Sequence, residues 1–550
     1  MAMHRYLLIP IALAALIVSA AMAQETKDLL LEKRFKQAYQ DALQTAQEIA
    51  DEMYRFDALM RIAEALVKVG EIGHALQVFD LAIKVAQIEH PSWRSKDLCN
   101  VAQGLAKARQ FHRAIKVAQE IEDAMERSLA FKGVAEELVR ARQPDHANQL
   151  FSLAIQATQK IKGASDRSWA LKEIAEGLTK IGQIDRAIEV FDLAIQNAQE
   201  IRSAMARSEA LRRIAEALVK AGQIDRATKV LNLAIKAALK IEDKLERSGM
   251  FIEIAEGLTK VRQFDLAIQI AQKIEDKWRR SYALWKITSG LARARQFDRA
   301  IKVAQEIETP MERSIAFSVI AEELAKAGRI DLAMEIAPKI EDEFQHSLAL
   351  KEIAGRLAKE KQFDRAIKVA QKIKDARKRS FALIEIAQAL AEAKQFDRAI
   401  QIFNLTIQTT QKIKDARERL LVLVETAQAL TKVRQVDRAI QIFNLAIQDA
   451  QRIKDAEERS FALVEIAQAL AKTKQIDRAI QIFNLAIQTA QKIEAEGQDW
   501  ALIEIVNVLL QLGQIDRAID VAKIIGNPIY RLETFAAILA EKRKRSGGSN

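Results

Sequence analysis

One cysteine, Cys99, occurs in 550 residues, so no internal disulfide can close this chain and a fold stapled by covalent bridges is excluded. Glycine and proline are also scarce, 18 and 6, which leaves few places for loops and argues for long regular elements. No window alternates β-branched or aromatic residues with polar ones between turn residues, so strands are not expected. Histidine is rare too. Of the six, His90, His112 and His346 fall in the repeat columns described below, His74 and His146 sit beside turns, and His4 lies in the N-terminal segment. None pairs with another His, with Cys99 or with a carboxylate at ligand spacing, and there is no glycine-rich phosphate loop. Neither a catalytic or metal site nor a cofactor is expected.

Charge is plentiful but mixed. The formal net charge is +11, and Arg5, Lys542, Arg543, Lys544 and Arg545 supply five of those charges at the two ends. The rest is a modest excess over 74 acids, so nucleic acid is not an expected partner. Residues 1–23 read as a secretory signal: Arg5, an apolar run from Leu7 to Val18, then Ala21-Met22-Ala23 before Gln24. The rival reading is an uncleaved anchor, because Tyr6 to Ala23 is nearly long enough to span a bilayer. Membrane contact is expected only through that segment, and the chain is expected to be exported, periplasmic or secreted.

What dominates the sequence is repetition. An arginine recurs at Arg55, Arg94, Arg127, Arg167, Arg207, Arg247, Arg280, Arg313, Arg379, Arg419, Arg459 and Arg531, with His346 and Gln498 in the same column. The spacing is either near 40 or 33. Each repeat reads as two helices. Leu383, Ile386, Ala387 and Leu390 fall on one face at helical spacing. A turn such as Lys394-Gln395-Phe396-Asp397 follows, and a second helix opens with Arg398-Ala399-Ile400. The leucine eleven residues after the arginine and the alanine twenty after it recur in all 13 full repeats, the alanine implying close helix approach. Residues 24–545 are therefore read as one all-α solenoid of stacked antiparallel helix pairs, opened by a second helix alone (Lys36 to Tyr54) and closed by a first helix alone (Arg531 to Lys542). Residues 546–550 are read as a disordered tail.

Helix starts are marked twice per repeat. Asp51, Asp123, Ser203, Asp243, Asp276, Thr309, Asp342, Asp375, Asp415, Asp455 and Asn527 stand four residues before the arginine as N-caps, with His90, Gly163 and Glu494 in the same column. Pro91, Pro310 and Pro528 follow at the one helical position that takes proline well. Asp185, Asp225, Asp298, Asp364 and Asp477, with His112 replacing one, are read as caps of the second helices. The seven-residue difference between repeats is two helical turns, about 10 Å added to the second helix without rotating its buried face. Pro338 falls inside a short second helix and is expected to kink it.

The pattern Leu383-x-x-Ile386-Ala387-x-x-Leu390…Ala399-x-x-x-Phe403 resembles the tetratricopeptide repeat family over nearly all of residues 36–542. The family's Gly is mostly Ala here, its Tyr is Leu, its terminal Pro is absent, and short repeats carry Ala304 or Ala370 in place of the second-helix aromatic. The resemblance implies a right-handed superhelix whose concave groove, lined mainly by first helices, binds peptides or proteins.

Three columns are candidates for function. The arginines either grip acidic ligands or tie each helix to its neighbour at the joint between repeats. Basic residues thirteen after the arginine, such as Lys180 and Lys220, have Glu four residues earlier in six repeats, a helical ion-pair spacing. Gln428 and Gln468 replace that Glu before Lys432 and Lys472, which makes these two lysines candidates for contact with acidic partners. Aromatics that break the repeat are Trp278, Tyr282 and Trp285 on one first helix, with Trp169 and Trp500 in the column of Tyr282. In the family geometry that column faces the groove, where aromatics would anchor a peptide or stack on a sugar, against the alternative of helix packing. The expected function is a non-enzymatic scaffold outside the cytoplasm that binds proteins or peptides, with a cell-envelope carbohydrate such as peptidoglycan as the alternative ligand.

Overall fold

A computed structural model describes residues 29–88 and 91–546 of the chain. The signal segment 1–23, His90 and residues 547–550 of the tail lie outside the described residues. Within them the protein is all-α, a solenoid of helix pairs with no strand, and no helix is long and apolar enough to cross a membrane.

Each of the thirteen complete first helices among the described residues, from Glu52–Lys68 to Ala495–Gln511, is 17 residues long. The second helices carry the length difference. They run 15 to 17 residues in long repeats, as in Ile184–Gln199 and Phe396–Thr410. They run 7 to 10 residues in short ones, as in Phe297–Gln305 and Phe363–Lys372. Pro338 does not kink its helix. Ile330–Ile336 stops before it, and a 3-10 turn Ala337–Lys339 takes the proline, because the missing N–H and the ring are tolerated once the α ladder has ended.

The recurring leucine and alanine form the seam. Leu178, Leu258, Leu324 and Leu390 are fully buried, as are Ala187, Ala267, Ala333 and Ala399. Between the two helices the chain turns through a residue with positive φ in every complete repeat. Gln110 N–H donates to Leu105 C=O and Arg109 N–H to Ala106 C=O, which is the Schellman ending of a helix, and the same pair of bonds recurs along the chain. Glycine fills the left-handed position five times (Gly70, Gly182, Gly222, Gly328, Gly513) and Arg or Lys fills it eight times.

Side chains of Asp51, Asp123, Ser203, Asp243, Asp276, Asp342, Asp375, Asp415 and Asp455 cap the first helices as expected, and Asn527 caps the last. Thr309 and Glu494 hold the position without a side-chain bond. The second helices differ from expectation: Gln183, Gln223, Gln296, Gln362 and Gln475 are the capping residues and none uses its side chain. Asp185, Asp225, Asp298, Asp364 and Asp477 lie in the first turn, two residues after the cap, where they face the helix dipole, and the Asp364 carboxylate accepts from Arg398 of the next repeat.

A buried serine column follows the arginine by one residue. Ser168 and Ser208 donate to Ala194 and Ala234 carbonyls at the middle of long second helices, both 2.9 Å. In the short repeat of Ser347 the hydroxyl is buried with no partner among the described residues. In three other short repeats the serine accepts instead, Ser95 from Asp123 N–H, Ser281 from Thr309 N–H, and Ser314 from Glu341 and Asp342 N–H at 3.2 and 3.1 Å. Asp499 does this in the last short repeat, accepting from Gly526 and Asn527 N–H at 2.7 and 2.8 Å. A hydroxyl serves both repeat lengths because it can reverse its role, whereas a carboxylate can only accept.

The chain forms two compact bodies: residues 143–453, and the described residues up to Arg142 together with those from Lys454 on. In the latter, the last helix, Pro528–Ser546, packs on Glu52–Lys68 as one first helix packs on another. Arg61 grips Glu533 through both carboxylate oxygens at 2.7 and 2.6 Å, and Arg531 reaches Asp41 of the helix at 29–48 at 3.9 Å. The lone second helix at the start of the array and the lone first helix at its end thus lie side by side.

Candidate functional site

The arginine column is spoken for by the joints. In nine repeats its guanidinium donates to the isoleucine carbonyl six residues earlier, at the end of the preceding second helix, over 2.6–3.1 Å. Its other end reaches an acid at the following joint, as in Arg313–Glu341 at 2.8 Å and Arg419–Asp449 at 2.6 Å. These arginines fix the stacking of repeats. His346, which replaces one, has its pKa held below the usual histidine range by burial and by Lys374.

Three of the basic residues at the ends of the first helices pair between repeats. Lys107 meets Glu64 at 3.0 Å, Lys260 meets Glu216 at 2.9 Å and Lys220 meets Glu176 at 3.8 Å, each in the preceding repeat. Among the described residues only Lys326 and Glu322 realise the expected spacing of four, and Arg140 pairs with Glu137 three residues earlier on its own helix. Neighbouring first helices are offset by one turn, so the glutamate of one repeat stands beside the lysine of the next. Lys432 and Lys472 are exposed at the ends of their helices, in different bodies.

Within 143–453 five of the eight first helices expose a large apolar residue two positions after the cap. Met205, Leu245, Trp278, Met311 and Phe344 fall there in five consecutive repeats and are 36 to 59% exposed. Among these, sequence reasoning had singled out Trp278 alone. Nothing in the local pattern around Met205, Leu245, Met311 and Phe344 marks them, and only their exposure sets them apart.

Around Trp278 the predicted aromatics do assemble. Its ring centroid is 5.8 Å from that of Tyr282, which lies 5.2 Å from Trp285 in an edge-on arrangement. The Lys286 ammonium sits over both Tyr282 and Trp285, 5.2 and 4.9 Å from their centroids, and pairs with Glu256 at 3.4 Å. Trp285 is half-buried and its shielded indole N–H has no hydrogen-bond partner. Further along the same face, Trp169 lines a hollow of about 220 Å³ with Ser165, Lys172, Ala206, Glu209 and Arg213. Arg212 beside it bridges Glu209, Glu216 and Glu253 at 2.8–2.9 Å. Burial opposes its charge, but the three carboxylates prevail and hold its pKa above the ordinary arginine value.

Trp500 belongs to the other body. It is 58% exposed and stands 5.8 Å from Tyr530, which has the Arg61 guanidinium 4.7 Å over its ring. Nearby, Tyr54, Asp57, Met60, Arg61, Gln103 and Lys107 line a hollow of about 610 Å³. Only the approach of the two chain ends brings this group together, so no local pattern in the sequence marks it. Among the described residues no three His, Cys, Asp or Glu side chains form a metal-binding group. Cys99 is buried against Glu126, and burial pushes its thiol up to about 12, far from the range of a reactive thiolate.

No protein-family model matches the sequence, and no curated protein matches it. Among solved structures the chain is similar to Ton1535 from Thermococcus onnurineus NA1, at 19% identity over 60% of this chain and 98% of that one, with a TM-score of 0.31.

Proposed function

We propose that the protein is a non-catalytic scaffold of tetratricopeptide type that holds extended polypeptide segments along the first-helix face of residues 143–453, outside the cytoplasm. The observation that carries this reading is the row Met205, Leu245, Trp278, Met311 and Phe344: one exposed apolar side chain in each of five consecutive repeats, in register and outside the buried seam, with Lys378 of the next repeat over the Phe344 ring. Adjacent packed helices lie roughly 8–10 Å apart. An extended chain advances about 10 Å in three residues, so a segment with an apolar residue at every third position meets the row repeat by repeat. Its location rests on the N-terminal signal pattern.

The carbohydrate alternative draws on Trp278, Tyr282 and Trp285. Two features favour polypeptide. Lys286 already covers the rings of Tyr282 and Trp285, and three of the five exposed residues are Met or Leu, which offer a sugar no flat face to stack on. Selection from a random peptide library tests the proposal. It should enrich apolar residues three apart, and Leu245→Ser with Met311→Ser should abolish capture while leaving the helical spectrum unchanged. Retention on purified cell-wall glycan that survives those two changes and is lost with Trp278→Ala would overturn it in favour of the alternative.

A further inference from the structure

The turns between first and second helices form the opposite edge of the repeats from the apolar row, since a 17-residue helix is about 25 Å long. In residues 143–453 the left-handed position of these turns carries Arg262, Arg295, Lys361, Lys394 and Arg434. All five are exposed, and none enters an ion pair among the described residues. Some of the other charges on this edge are matched: Asp265, Asp331 and Asp364 by Arg299, Arg365 and Arg398, and Lys220 and Lys260 by glutamates of the preceding repeats. Acids unmatched among the described residues also stand here, Glu392 beside Lys394 and the exposed Asp185, Asp225, Asp298, Asp397 and Asp437 at the starts of the second helices. Exposed Lys180, Arg293, Lys359 and Lys432 add to the five turn cations, so the unmatched charge of the edge has a basic excess. Gly182, Gly222 and Gly328 occupy the same turn position without steric cost. Elsewhere a long basic side chain is kept in a conformation that disfavours it.

The helix dipole alone would favour a cation at the end of each first helix. It does not account for what stands beside the charge. Phe396 and Val436, two residues after Lys394 and Arg434, are exposed, and so is Ile224 at the equivalent position. Turn tips that pair an unmatched cation with an exposed apolar side chain have the composition of a surface that rests in the headgroup layer of an anionic bilayer. A nucleic-acid strand would use the charges but leave Val436 and Ile224 without a role.

We propose that the edge made by the first-to-second-helix turns of residues 143–453 docks on an anionic lipid bilayer through Lys361, Lys394 and Arg434, with Phe396 and Val436 entering the headgroup layer. This contact does not run through the N-terminal segment, and it leaves the apolar row at the far end of the same helices open to a polypeptide. The test is flotation of the chain lacking residues 1–23 with vesicles of phosphatidylcholine alone, or of phosphatidylcholine and phosphatidylglycerol in equal parts. Binding is expected only to the anionic vesicles and is lost in high salt. The triple change Lys361→Gly, Lys394→Gly and Arg434→Gly relieves three strained turns, so its fold is kept. It should weaken binding about five-fold per charge, roughly a hundred-fold in all. Phe396→Ser with Val436→Ser should weaken binding several-fold and leave its salt dependence in place. The proposal fails if anionic vesicles do not bind, if the triple variant binds as the parent does, or if duplex DNA binds more tightly than the vesicles at the same ionic strength.

Discussion

The run of 33-residue repeats from Arg247 to Arg379 and the 40-residue repeats on either side of it share one first helix and differ only in the second. That difference reorganises everything around the turn. In the short run each first helix packs about as much on the next first helix as on its own second helix, whereas in long repeats the contact within each helix pair dominates and neighbouring first helices meet less. The residue that opens the second helix shows the consequence. Phe264, Phe297, Ile330 and Phe363 are 3 to 6% exposed in short repeats, while Ile224, Phe396 and Val436 in long ones are 40 to 50% exposed. One sequence column is core in one region and surface in the other. Four of the five residues in the apolar row (Leu245, Trp278, Met311, Phe344) start the first helices of the short run, where those helices lie closest.

The sharpest way to break this comparison is to cut the same side chain in both regions. Phe363→Ala, in a short repeat, should cost about 3 kcal/mol or more, as a buried phenylalanine does. Phe396→Ala, one repeat on, should cost less than about 0.5 kcal/mol. Urea unfolding of the two variants measures the difference, and equal values would remove the distinction between the regions.

The serine column gives the next largest effect. Ser314→Ala strands two backbone N–H groups at the joint after a short repeat and is expected to cost about 2–3 kcal/mol. Ser208→Ala removes a donor from the Ala234 carbonyl, in the middle of a long helix, and should cost about 1 kcal/mol. Thermal melts of both variants decide whether the hydroxyl's role follows repeat length.

Much of this was legible in the sequence, and the boundary has a physical cause. Helix periods, first-helix caps and the two-turn insertion are set within about twenty residues, so local spacing exposes them. Leu390, Ala399 and Asp375 stand where that spacing puts them. Features that depend on how one repeat lies against the next were read too locally. Glu216 was matched to Lys220 on its own helix and meets Lys260 on the next one. Asp364 was given a cap role and instead holds Arg398. Of the candidate residues, Trp278, Tyr282 and Trp285 are brought together because they share a helix. Trp169 and Lys432 lie on other repeats of the same body, and Trp500 and Lys472 lie in the other body. The apolar row escaped notice because a methionine two residues after a cap carries no sign of whether anything covers it.

A smaller effect tests what the two repeat lengths share. The left-handed turn is common to both, so Lys361→Gly in a short repeat and Lys394→Gly in a long one should each stabilise by about 0.5–1 kcal/mol. The converse change Gly328→Ala should destabilise by about 1 kcal/mol. Unequal gains at 361 and 394, read from the same melts, would mean that the turn also feels the length of the helix after it.

The smallest effect depends on pH. Glu385 and Glu425 hold the same column six residues after their arginines. Glu385 faces the repeat before it across a short spacing and rests where that helix has Gly355: a Cβ there would lie 2.2 Å from its carboxylate. Glu425 faces a long spacing and is exposed. Burial raises the Glu385 pKa above the ordinary glutamate value; Lys351 pulls it back, Glu352 pushes it further up, and Lys359 opposes. Between the unfolded and the raised folded value, the folded chain keeps a proton that the unfolded chain has lost. Stability therefore falls as pH rises through that window, and the penalty is fully present above it. Glu385→Gln removes the penalty. The variant should be more stable than the parent at neutral pH and converge with it in acid, below the usual glutamate range. Glu425→Gln should shift stability by less than about 0.5 kcal/mol. Unfolding curves taken across acid and neutral pH separate the two. A Glu385→Gln gain that persists unchanged into acid would assign the effect to packing against Gly355 and not to charge.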